Sequence, residues 1–154
     1  MDASYTSNIT EFAIVLAGFS GLVIAIGSKG GKSSPLTKHR TLCLLSFSFA
    51  AAFGSLLPAL ALSFGIPNIW TFSSYGLICI LLVAVIVVHL SARLLLNEEE
   101  RKKLAWYMYI LIYWVNAFLV FLLALIPIAG LFFIALVWQL IVSAILFTRL
   151  ILQS

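Results

Sequence analysis

The sequence predicts an all-α integral membrane protein with five transmembrane helices, the N-terminus outside and the C-terminus in the cytoplasm. Three observations predict this fold class: five long apolar runs, few charged residues, and cations confined to alternate connections and the C-terminal end. The runs cover residues 10–27, 41–64, 72–92, 104–126 and 131–148. Each run can cross the membrane once, because about 20 apolar residues are needed to span roughly 30 Å of hydrocarbon.

The composition excludes a soluble globular domain. Of the 154 residues, 64% are hydrophobic and 9% are charged, and the mean hydropathy is +1.19. So few charges cannot provide the polar surface that a soluble core requires. The connections between the runs are also too short for a soluble domain, which takes roughly 50 residues or more. We therefore expect one membrane domain over residues 1–154.

The charge distribution predicts the orientation. Short loops rich in Lys and Arg stay on the cytoplasmic side of the membrane. The chain has nine such residues against five Asp and Glu, which gives the net charge of +4. The nine cations lie in the first connection, in the third connection and at the C-terminal end: Lys29, Lys32, Lys38, Arg40; Arg93, Arg101, Lys102, Lys103; and Arg149. Apart from Arg93 and Arg149, we interpret these cations as contacts for anionic lipid headgroups or for an anionic cytoplasmic ligand.

The first run is interpreted as a retained span, because the residues before it carry Asp2 rather than the cations of a signal peptide. At 100° per residue its large side chains share an arc of about 120°. This bulky arc contains Phe12, Val15, Leu16, Phe19, Leu22, Val23 and Ile26. The opposite small arc contains Thr10, Ala13, Ala17, Gly18, Ser20, Gly21, Ala25, Gly27 and Ser28, interrupted by Ile14 and Ile24, with Glu11 at its edge.

The small arc has two interpretations. Small residues let helix backbones approach closely, so the arc could be a packing face within the bundle or against another copy. Small and hydroxyl-bearing residues also line conduits, where a carboxylate ring at an outer mouth would favour cations. The pore-lining candidates are Thr10, Glu11, Ala13, Ala17, Gly18, Ser20, Gly21 and Ala25.

The second run contains Pro58, which removes a backbone donor and predicts a bend. The Gly-Ile-Pro-Asn sequence at 65–68 predicts a chain reversal. The third run, rich in Leu, Ile and Val, is interpreted as a lipid-facing or scaffold span. Before the fourth run, Asn97 and Glu100 form a capping-box pattern that predicts a helix start.

The last two runs predict a helical hairpin around residues 127–130. Asn116 lies 11 residues before Pro127, and Gln139 lies 12 residues after it, so their amides should reach nearly the same depth. A carboxamide facing lipid would lack partners, which predicts a hydrogen bond between them. The pair would be structural, with the lining of a polar pathway as the alternative.

No catalytic or cofactor motif is recognised. Residues 27–33 are similar to a phosphate-binding loop, but Ile26 stands where the pattern needs Gly and no strand precedes it. His39 and Cys43 are spaced i,i+4, with His89 at similar depth, which is a thin set for a metal or haem. His39 is interpreted as a loop residue. We therefore expect no metal, no cofactor, no enzymatic activity and no direct nucleic-acid readout.

Three functions remain. The leading hypothesis is a homo-oligomeric pore or ion channel, because a chain this small cannot enclose a pathway alone. The alternative is a non-conducting accessory or assembly subunit that packs against another membrane protein. A small transporter is disfavoured because no ionisable residue is expected at mid-membrane.

In size, near-absence of soluble parts and a basic inner face, the chain resembles small multi-pass membrane effectors of bacterial antiphage defence. The resemblance covers general architecture only, with no diagnostic residues matched. It implies a pore in the bacterial inner membrane that a cytoplasmic regulatory protein or a nucleotide signal opens. It also implies that the basic loop 29–40 receives that signal.

Overall fold

The structure, a computed structural model, describes Ile14 and residues 34–102 and 106–152, without the side chains of 106–108. This described part is helical and contains no strand. After Ser34 its helices are α1 (Pro35–Ser63), α2 (Ile69–Leu95), α3 (Glu98–Lys102), α4 (Trp106–Leu125) and α5 (Ala129–Leu152). Three of them, α1, α2 and α5, are long and apolar enough to cross a membrane, as an integral membrane protein requires. Helix α4 has a shorter apolar stretch, Tyr109–Leu125.

Helix α1 begins earlier than the apolar run 41–64 predicts. Ser34 is its N-cap: the Ser34 hydroxyl accepts a hydrogen bond from the backbone N–H of Thr37 at 3.2 Å, and Pro35 occupies the first turn. Such caps determine where a helix starts, whereas hydropathy marks only where its apolar part starts. The prediction of a loop was therefore wrong for three residues that lie in the first two turns of α1: Lys38, His39 and Arg40.

The predicted reversal at 65–68 is present and has the geometry of a Schellman motif. Helix α1 continues through Pro58 and ends at Ser63. The N–H of Gly65 then donates to the carbonyl of Leu62 at 3.0 Å, and the N–H of Ile66 donates to that of Ala61 at 2.9 Å. Gly65 has a φ of 64°, a conformation that glycine adopts without steric cost.

Helices α1, α2, α4 and α5 form an antiparallel bundle. Helix α1 packs against α2 and α5, while α4 packs against those same two helices. The closest approach is at Gly54, where an added Cβ would lie 2.7 Å from a Leu77 methyl and 2.8 Å from a Leu136 methyl. More than half of the apolar part of α1 is buried, compared with 28% of that of α2.

The antiparallel arrangement gathers the described cations at one end of the bundle. Helix α1 starts at this end and α5 finishes there, while α2 leads into α3 beside it. We call it the basic end; its described cations are Lys38, Arg40, Arg93, Arg101, Lys102 and Arg149. The turns at 64–68 and 126–128 lie at the opposite end. Large apolar side chains on the outer faces are exposed, as lipid-facing positions are, including Leu94 and Trp114.

Candidate functional site

A buried polar cluster at the basic end joins three helices. Its centre is His39 of α1, which is fully buried. The His39 Nδ1 atom lies 2.8 Å from the hydroxyl oxygen of Ser91 on α2, and that hydroxyl donates to the carbonyl of Val88 at 2.8 Å. Since the single hydroxyl proton goes to Val88, the oxygen accepts from Nδ1, and Nδ1 carries a proton. The remaining nitrogen, Nε2, is the one nearer to Cys43.

The thiol and a phenol complete this cluster. The Cys43 sulfur lies 3.5 Å from His39 Nε2, one turn along α1, and is fully buried. The Tyr109 ring of α4 stacks against the His39 ring, with 6.0 Å between centroids and 29° between planes. The imidazole is therefore held by a hydrogen bond on one side and by an aromatic ring on another. Such a cluster fixes the relative positions of α1, α2 and α4 at the basic end.

The cluster brings together fewer metal ligands than a structural site needs. His39 and Cys43 meet as their spacing predicts, but His89 is exposed and lies about 160° around α2 from Ser91, which faces His39. Within residues 34–102 and the described part of 106–152, no three His, Cys, Asp or Glu side chains gather into a potential metal site. Ser91 and Tyr109 were missed by sequence reasoning, because neither has a local pattern that points to His39 across 52 and 70 positions.

The predicted cationic contacts divide into two groups in the structure. Lys38 and Lys102 are exposed at the basic end, and Arg40 is half-buried. Arg101 instead caps the end of α2: its Nε donates to the carbonyl of Leu96 at 3.2 Å, and its Nη2 donates to that of Arg93 at 3.0 Å. A cation suits this place because helix carboxyl ends carry partial negative charge. The other three candidates, Lys29, Lys32 and Lys103, lie outside the described residues.

The hydrogen bond predicted between the two amides of the hairpin is present. Gln139 Nε2 donates to Asn116 Oδ1 at 2.7 Å, and Asn116 Nδ2 donates to the carbonyl of Ile112 at 2.9 Å. Asn116 is 3% exposed and Gln139 is fully buried. Gln139 Oε1 has no hydrogen-bond partner in the described part of the chain. The bond fastens α4 to α5 midway along both helices.

The capping pattern at the start of α3 is also present in part. The Glu100 carboxylate accepts a hydrogen bond from the backbone N–H of Asn97 at 3.0 Å, which is one half of a capping box. The prediction that this helix continues into the fourth apolar run falls on 103–105, outside the described residues.

The pore-lining candidates of the first run also lie outside the described residues: Thr10, Glu11, Ala13, Ala17, Gly18, Ser20, Gly21 and Ala25. The single described residue of this run, Ile14, is helical and 57% exposed. It lies on the side of the predicted helix that carries the small arc, where it is one of two large residues.

Comparison of the chain with protein-family models, curated proteins and solved structures finds no match.

Proposed function

We propose that this protein is a homo-oligomeric membrane pore whose conduit is lined by the small arc of run 10–27. The general basis is a helical chain with three helices long and apolar enough to cross a membrane. A pore needs polar or small residues turned away from the protomer core and toward an axis shared by several copies. The small arc has that composition.

The exposure of Ile14 is the observation that carries the proposal. Counted at 100° per residue, Ile14 lies inside the small arc, within about 40° of Thr10, Gly18 and Gly21. Its side chain is 57% exposed, like other large apolar side chains on the outer faces of the bundle. That exposure favours a small arc turned away from the protomer's own bundle, where it is available to other copies. Packing of the arc within the bundle would instead bury Ile14.

The packing of the described helices supports a conduit formed between copies. The bundle interior around Leu77, Leu123 and Leu136 is filled by fully buried apolar side chains. An open groove between α1 and α2 is lined mainly by apolar residues such as Phe49, Phe53 and Val83. An ion needs a wetted or polar path, and neither this groove nor the filled interior around those leucines provides one.

The basic end would form the inner, cytoplasmic side of the pore in the bacterial inner membrane, with Glu11 at the outer mouth. This orientation follows from the distribution of Lys and Arg. Exposed Lys38 and Lys102 would contact anionic headgroups. The resemblance to antiphage effectors favours a signal-gated pore, with a regulatory protein or an anionic ligand acting at the basic loop. The proposed activity requires no catalytic residue and no cofactor.

Single-channel recording after reconstitution into planar bilayers tests the proposal. Gly18→Leu and Ser20→Leu would fill the conduit and should lower or abolish the conductance of the wild-type protein. Val23→Leu, on the bulky arc, is the matched control and should conduct normally. Each variant is first shown to retain the oligomeric mass of the wild type in detergent. Unchanged conductance in both small-arc variants would refute pore lining by this arc.

The same preparation distinguishes the alternative function. An accessory subunit would give no current, and its mass in detergent would be that of a single chain or of a complex with a different membrane protein. A homo-oligomer that conducts excludes this alternative.

A further inference from the structure

One face of helix α1 carries small side chains that we call the α1 stripe: Thr41, Ser48, Ala52 and Ser55, interrupted by the half-buried Leu45. At 100° per residue these four positions share an arc of about 60°. All four are buried, with exposed fractions of 9%, 0%, 6% and 1%. Helix α2 contacts a different side of α1, where His39 meets Ser91, about 180° from Ser48 and about 140–160° from the other three positions.

The described helices explain only part of this burial. Leu140 of α5 is the described partly buried hydrophobic residue that packs against the neighbouring pair Ala51 and Ala52. The hydroxyls of Thr41 and Ser48 find no hydrogen-bond partner among the described residues. Hydroxyls on a small-residue face are typical of surfaces on which another transmembrane helix lies closely. The α1 stripe therefore has the character of a helix-docking surface.

We propose that the bulky arc of run 10–27 docks on the α1 stripe within the same chain. The connection between them favours this occupant. Only six residues, 28–33, separate the run from Ser34 at the start of α1. Six extended residues reach at most about 20 Å, so the connection would keep a helical run close to the start of α1, and antiparallel to it when both cross the membrane. Its 18 residues would extend about 27 Å as a helix, which is less than the length of α1 and sufficient to cover the stripe.

The exposure of Ile14 selects the face of the run that docks. Ile14 is 57% exposed and lies about 140–160° around the helix from Phe12, Leu16 and Phe19 of the bulky arc. When Ile14 points outward, those large side chains point toward the bundle. Large side chains over a surface of Ser, Thr and Ala pack as knobs above shallow holes, which gives close contact without a cavity. The docked run then presents its small arc outward.

Cysteine cross-linking in lipid vesicles tests the docking. In a Cys43→Ser, Cys79→Ser background, Ser48→Cys is combined in turn with Val15→Cys, Leu16→Cys or Phe19→Cys on the bulky arc. The matched controls combine Ser48→Cys with Ala17→Cys or Gly21→Cys on the small arc. A disulfide forms readily only when the two Cα atoms are about 4.4–6.8 Å apart. Gly54→Cys with Leu77→Cys, at a close approach of α1 and α2 where an added Cβ at Gly54 would lie 2.7 Å from a Leu77 methyl, is the positive control that shows that the oxidant reaches buried pairs.

The expected result is an intramolecular disulfide in at least one bulky-arc pair, several-fold more abundant than in either small-arc control. Cross-links at the mass of a dimer would assign the stripe to a second copy and overturn the proposal. It is also overturned if the small-arc pairs cross-link preferentially. The absence of any cross-link with Ser48→Cys, in protein that cross-links Gly54→Cys with Leu77→Cys, would likewise overturn it. The readout does not depend on conductance, so docking and pore formation can fail separately.

Discussion

The amide pair between α4 and α5 gives a prediction that can be worked quantitatively. Asn116→Leu leaves Gln139 fully buried with neither end of its amide paired within the described chain. An unsatisfied buried polar group costs about 1–3 kcal/mol, whereas hydrogen bonds between membrane helices average about 0.6 and reach about 1.7 kcal/mol. We therefore expect Asn116→Leu to lower the free energy of unfolding by about 1–2 kcal/mol.

The reciprocal change should cost less. Gln139→Met has nearly the same shape, and Asn116 Nδ2 keeps its hydrogen bond to the Ile112 carbonyl. We expect a loss of about 0.5–1 kcal/mol. In the double variant both polar groups are gone, and the total loss should be smaller than the sum of the two single losses by about 0.6–1.7 kcal/mol.

The assay is reversible unfolding by sodium dodecyl sulfate in mixed micelles, followed by far-UV circular dichroism and tryptophan fluorescence. All four proteins of the cycle are measured under the same micelle conditions. Strictly additive losses would show that the two amides do not stabilise each other. A larger loss for Gln139→Met than for Asn116→Leu would contradict the assignment of Gln139 as the more dependent partner.

Three further changes can be measured by the same unfolding assay. Gly54→Ala forces leucine methyls of α2 and α5 to move and should lower the free energy of unfolding by about 1–3 kcal/mol. Gly130→Ala is the control: an added Cβ there meets open space, so the change should leave stability unchanged or raise it. Equal effects of the two changes would contradict the close approach at Gly54. Gly65→Ala should cost about 1 kcal/mol because φ is positive, and Gly65→Asn less; no difference between them would argue against the Schellman geometry. Ser91→Ala removes the acceptor of a hydrogen bond from the buried His39 imidazole and should lower the free energy of unfolding by about 1–2 kcal/mol. The control is Ser63→Ala, at an exposed serine with a similar hydrogen bond to the helix backbone, which should have little effect.

The bond between Asn116 and Gln139 shows what depth counting from a turn can predict. Two helices joined by a short turn rise by the same distance per residue, so equal separations from that turn give equal depths. Polar side chains at the same depth in an apolar surrounding then have few partners to choose from. The same logic does not extend to helices joined through longer connections, because their relative height depends on packing rather than on chain geometry.

The misplacement of His39 shows why the basic end was harder to predict. The polar stretch before run 41–64 was interpreted as a loop, although Ser34 and Pro35 form a helix-start pattern. The burial of His39 depends on Ser91 and Tyr109, which arrive from α2 and α4. A sequence pattern along one helix contains no information about those partners. The spacing of His39 and Cys43 predicted that they would meet, but not that a serine and a tyrosine would hold the imidazole.

The most direct test of the proposed pore is chemical accessibility of the small arc during conduction. In a Cys43→Ser, Cys79→Ser background, Ser20→Cys is exposed to a charged, membrane-impermeant thiol reagent while current is recorded, with Val23→Cys as the matched control on the bulky arc. A conduit lined by the small arc predicts that the reagent reduces the current through Ser20→Cys and leaves that through Val23→Cys unchanged. An unmodified Ser20→Cys protein that conducts, or block through Val23→Cys instead, would contradict this account.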